Sequence, residues 1–122
     1  MKQKMETFTA YFDAEIARCA EQEKRLIADE RKDEAVFEKI RANVYNIFRS
    51  VLGVAVETCG EDAEKFRDFF LKRIDLIPTS WRTSYEAAKQ HDDTAKAQIE
   101  EIKLAVVQEI RAEFTKIWEE NS

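Results

Sequence analysis

The chain is poor in residues that break, staple or catalyse: among 122 residues there are two glycines, one proline, two cysteines and a single histidine. So few turn formers leave room for only a handful of long elements. A lone histidine offers no second base for nucleophilic or acid–base chemistry, and two isolated glycines cannot build a phosphate-cradling loop. Uncharged apolar runs are also missing. The most apolar stretch is interrupted by Asn46, Arg49 and Ser50, well short of the roughly 20 residues a membrane-crossing helix needs, so no membrane partner is expected. Clustered Lys and Arg are absent. The net charge is −5 and spread along the chain, which argues against nucleic acid, whose phosphates need grouped cations. The opening MKQKMETFTAYFDAE turns acidic before an apolar core forms, so no signal peptide is expected and the cytoplasm is the expected location.

What is present is 44% hydrophobic and 37% charged residues, the mixture of helices that are oily on one side and solvated on the other. One domain spanning 1–122, all-α, follows. Its centre is Val36 to Cys59. There Phe37, Ile40, Val44, Ile47, Val51 and Val54 form one apolar seam at helical spacing, and Tyr45, Phe48, Leu52, Ala55 and Cys59 form a second. Two seams ask for two neighbours. The remaining face, Lys39, Asn43, Asn46, Ser50, Gly53 and Glu57, is narrow, polar and mostly small.

Helices are expected at about 5–28, 33–59, 62–77 and 80–119. The first carries Met5, Phe8, Phe12, Ile16, Cys19, Leu26 and Ile27 inward, but Gln22 and Glu23 interrupt that stripe. The segment 29–33 has no apolar residue and should turn, with Asp33 capping the second helix. Gly60 suits the end of that helix, and Glu61, Asp62 and Glu64 the start of a third bearing Phe66, Phe69, Phe70, Ile74 and Ile77. Pro78 should limit the third helix. Thr79, or Thr83 with Glu86, can cap a fourth. From there to about Glu119 no glycine or proline intervenes, and the stripe from Trp81 to Ile117 is broken only at Asp92.

Lengths suggest the architecture. At 1.5 Å per residue the second, third and fourth helices measure ~40, ~22 and ~60 Å, so the fourth matches the second plus the third. A four-helix antiparallel bundle is therefore expected, with a three-helix body and a two-helix arm made by the third helix and the start of a continuous fourth. The rival is a break at His91 to Asp93, where Asp92 or Asp93 would act as a cap. In the first hairpin Cys19 faces about residue 43, which leaves ~24 Å to Cys59, too far for a disulfide. Two reduced thiols are expected.

No constellation carries chemistry. A carboxylate di-metal bundle needs Glu-x-x-His on two helices, and there is none. His91 with Asp92 and Asp93 is better read as a solvated turn than as a cation site. No catalytic residue, cofactor or metal is expected, and the protein is not expected to be an enzyme. The residues singled out are Phe66, Phe69, Phe70, Ile74, Trp81, Arg82 and Tyr85, because a two-helix arm leaves aromatic surface uncovered and aromatics and Arg dominate protein contacts. The leading expectation is an interaction or structural protein that self-associates as a homodimer through this arm and has an unidentified protein partner. The alternative is a small-molecule-binding module with an apolar pocket among Phe48, Leu52, Phe66, Phe70, Trp81 and Tyr85.

Overall fold

A computed structural model, in which residues 1–119 are described, is helical almost throughout: α1 (Lys2–Ala28), α2 (Lys32–Cys59), α3 (Ala63–Leu76), α4 (Thr79–Gln90) and α5 (Thr94–Glu119), with no strand among the described residues. The chain is an all-α helical bundle. Its five segments make four rods, because α3 and α4 run on through a lapse at Pro78. Ile77 has φ −58 and ψ −44, and Pro78 has φ −75 and ψ −1, so both keep helix-like angles. Proline removes one N–H and crowds the preceding turn, which disturbs the ladder without reversing the chain. At the lapse the carbonyl of Asp75 accepts from Thr79 Oγ1 at 3.3 Å and from the Arg82 guanidinium at 2.9 Å.

The expected continuous helix over 80–119 is not found. The chain reverses at His91 to Asp93, where Asp92 takes the left-handed conformation with φ 55. Asp93 N donates to the Ala88 carbonyl at 2.8 Å, closing α4, and the Asp93 carboxylate accepts from Lys96 N at 3.1 Å, opening α5. Aspartate tolerates both tasks, since its short side chain relieves the left-handed strain and satisfies free N–H groups at a helix start. With the break here, the lengths even out. Helix α1 has 27 residues, α2 has 28 and α5 has 26, and α3 with α4 spans 63–90. The body-plus-arm arrangement gives way to four rods of similar length.

Pairings along the rods are antiparallel between sequence neighbours. Helix α1 meets α2 through Asp13 with Arg49 at 2.6 Å and Glu23 with Lys39 at 3.6 Å. The α3–α4 rod follows α5 from end to end: Phe66 stacks on Trp118 at 5.0 Å, Phe70 on Phe114 at 5.0 Å, Asp75 pairs with Arg111, and the Lys103 ammonium lies 5.6 Å from the Trp81 ring. Helix α2 touches α1, α3 and α5, as its two seams imply, and α5 touches all four other helices, so the two share the middle of the bundle. Smaller corrections concern the ends. No side chain caps α2; Asp33 and Glu34 instead sit in its first turn, where negative charge favours the helix dipole. Asp62 caps α3 by accepting from Lys65 N at 3.0 Å. Ile27, expected inward, is exposed.

The core is lopsided. At one end Phe8, Phe12, Phe48, Phe66, Phe70, Phe114 and Trp118 interlock, with Phe114 and Trp118 4.6 Å apart and Phe8 edge-on to Phe70 at 5.1 Å. Toward the α1–α2 and α4–α5 turns the buried positions become small or polar: Ala35, Ala88 and Glu100. Cys19 and Cys59 are buried free thiols.

Candidate interaction surface

Between Ala42 and Val56 the sequence carries one charged residue, Arg49, in a chain that is 37% charged. Arg49 turns sideways to pair with Asp13 of α1. The seam of Tyr45, Phe48, Leu52, Ala55 and Cys59 is fully buried, whereas only Val44 of the other seam is. Ile47 and Val54 are 38% and 52% exposed. Helix α3 extends this oily strip. Phe69 is half-buried beneath the Arg73 guanidinium, 4.5 Å from its ring, and Leu76 is 60% exposed. Ser50, Val51, Val54, Phe69 and Arg73 line a shallow groove of about 190 Å³ along the α2–α3 seam.

The residues singled out from sequence do not form one surface. Phe66, Phe70 and Ile74 are buried inside the bundle, because α5 and not a second molecule covers their stripe. Phe69 alone among the α3 aromatics reaches the outer strip. Trp81 and Tyr85 lie half-buried on α4, beside Lys103 and Lys89 respectively. Arg82 is exposed but bonded to the Asp75 carbonyl, where it splints the α3–α4 lapse. Phe48, Leu52, Phe66 and Phe70, proposed as pocket walls, are packed into the core with 0 to 2% exposure, which leaves no room for a ligand among them. A separate concavity of about 550 Å³ opens at the α4–α5 turn between Tyr85, Ala88, Asp92, Asp93, Ala97 and Glu101. No family model, curated protein or solved structure matches this chain.

Ile47, Val54 and Leu76 were legible as apolar positions, but their exposure was not. The helical pattern marks a seam as oily, and only the placement of the fourth rod decides which seam it covers. The clearest sequence signal was the long span itself, with Arg49 as its one charge.

Tyr45, fully buried, donates from its hydroxyl to Glu109 Oε2 at 2.7 Å. Burial pushes the Tyr45 hydroxyl strongly up, and Tyr11 beside it is pushed up to about 12, also mainly by burial. The Cys19 thiol is pushed up to about 11 by burial and then by the nearby Glu38 charge. Glu100 is buried, salt-bridged to Lys103 at 3.3 Å through one oxygen, with the other oxygen unpartnered. Among the described residues no group of three or more His, Cys, Asp or Glu could hold a metal ion, and no helix is long and apolar enough to cross a membrane.

These raised values set an alkaline limit. Below about pH 8 the thiol and both phenols are protonated in folded and unfolded chains alike, so they add no pH dependence. Above it the unfolded chain releases protons that the folded chain holds, and stability must fall as pH rises through about 9 to 12. Urea melts at pH 8, 9.5 and 10.5 should show a falling midpoint, with a smaller fall in Cys19→Ala. A flat profile would mean that these groups are not buried as described.

Proposed function

We propose that the protein is a non-enzymatic helical bundle that acts by contact with other protein surface, and that it self-associates as a homodimer through the outer strip of α2 and α3. The observation that carries this reading is the pairing of exposed apolar side chains, Ile47, Val54, Leu76 and the edge of Phe69, with a span almost free of charge. Depletion of charge at the centre is what separates interface cores from ordinary surface. The size also fits. From Lys39 to Glu61 the strip is roughly 33 Å long and two helices make it ~20 Å wide, of the order of the ~800 Å² that each partner gives to a standard interface.

The non-catalytic part of the proposal is supported by the position of the only histidine, exposed at the α4–α5 turn, and by the use of Tyr45 and Glu109 to satisfy each other. Light scattering after size exclusion at tens of micromolar tests the contact. A mass twice 14.3 kDa is expected, falling to 14.3 kDa in the doubly charged variant Val54→Lys with Phe69→Glu while helicity is kept. A native protein that elutes as a single 14.3 kDa species would dispose of the homodimer.

A further inference from the structure

Building on that self-association, we infer that the second copy docks with its α2 antiparallel across this α2, the two-fold axis passing near Ser50. The inference rests on the proposed dimer and adds its register. Charge selects the direction. The outward line of α2 runs Lys39, Asn43, Asn46, Ser50, Gly53, Glu57, and the acidic Glu61 follows just beyond the helix. It is basic at one end, neutral through the middle and acidic at the other. A parallel pairing about an axis along the helices sets Lys39 against Lys39 and Glu57 against Glu57 of the second copy. An antiparallel pairing sets Lys39 of each copy against the acidic end of the other, and it also opposes the helix dipoles. Lys39 is available for this, because its bond to Glu23 is a long surface pair at 3.6 Å with the lysine side chain 62% exposed.

Shape selects the register. With Ser50 on the axis, Ile47 of one copy meets Val54 of the other on the α3 side of the contact line, and Asn46 meets Gly53 on the opposite side. Apolar thus faces apolar on one side of the axis, and the asparagine faces the gap at glycine on the other. Gly53 gains nothing inside its own chain: a Cβ built there meets no atom within 4 Å beyond its own helix backbone, and glycine is a poorer helix former than alanine. The antiparallel partner supplies its use, since the missing side chain leaves the depression that Asn46 of the second copy fills. Leu76 and Phe69 of α3 flank this contact and close its edge.

Two variants test the register on the full chain. Ser50→Cys should form a covalent dimer under mild oxidation, because the axis brings the two positions within disulfide reach, Cα atoms less than ~7 Å apart. The native protein in the same oxidant is the control, its thiols at Cys19 and Cys59 being buried. Gly53→Leu should weaken dimerisation at least tenfold while the far-ultraviolet helicity and the thermal transition of the diluted monomer are kept. A native protein that is monomeric by light scattering overturns the dimer and the register together. A native dimer that survives Gly53→Leu, or in which Ser50→Cys fails to cross-link, overturns the register alone and leaves self-association standing.

Discussion

Replacing Phe70 with alanine should destabilise the bundle by about 3 to 5 kcal/mol, the cost of emptying a large aromatic from a packed core. Phe70 is fully buried and its ring meets four others: Phe114 at 5.0 Å, Phe8 at 5.1 Å, and Phe48 and Phe66 each at 6.4 Å. These rings come from α1, α2, α3 and α5, so the cavity would sit where all of them converge. Its neighbours are aromatic and rigid, which limits collapse into the void. Val51→Ala gives the contrast. Val51 lies half-buried at the rim of the outer strip, and about 1 kcal/mol is expected there. Denaturant melts of both variants check the ordering. Equal losses would mean that the aromatic end is not the cohesive part of the bundle.

The second large effect belongs to a glycine with no neighbours. Gly60 ends α2 at φ 57 and ψ −127, a combination that side-chain-bearing residues avoid, and a Cβ added there meets nothing within 4 Å. Gly60→Ala should therefore cost about 1 to 3 kcal/mol through backbone strain alone, with no clash to relieve. The turn it forms sends α3 back along α2 and brings Phe66 and Phe70 under α5. Thermal melts that are unchanged in Gly60→Ala would show that the turn readily takes another shape. Unchanged helicity with a lowered melting point is the expected result.

Helix content, the turns after α1 and α2 and the several neighbours of α2 were readable, because each depends on local spacing. The two apolar seams of α2 mark it as a helix with neighbours on more than one side, and it touches three other helices. Gly60 and the acidic residues after it mark a turn by their backbone and capping preferences. The misjudged point was which interruption reverses the chain. Pro78 is the stronger breaker by propensity, yet α3 continues into α4 across it, because Thr79 and Arg82 satisfy the Asp75 carbonyl and the paired α5 holds both segments in line. Asp92 and Asp93 are weaker breakers by type, yet the chain turns there.

Local patterning along the chain is enough for an all-α set of amphipathic rods with two separated thiols, since periodicity, charge and the scarcity of turn residues act within a few residues of each other. Tertiary structure alone decided the rest. Whether Phe66, Phe70 and Ile74 face a partner or a core depends on where α5 lies, and that follows from the reversal at Asp92, 18 to 26 residues further along the chain. The same placement covers one seam of α2 and leaves Ile47 and Val54 outside. A hydrophobic stripe states only that something must cover it. Which surface does so is settled by the packing of whole rods, whose burial energies are summed over the molecule and written in no single segment.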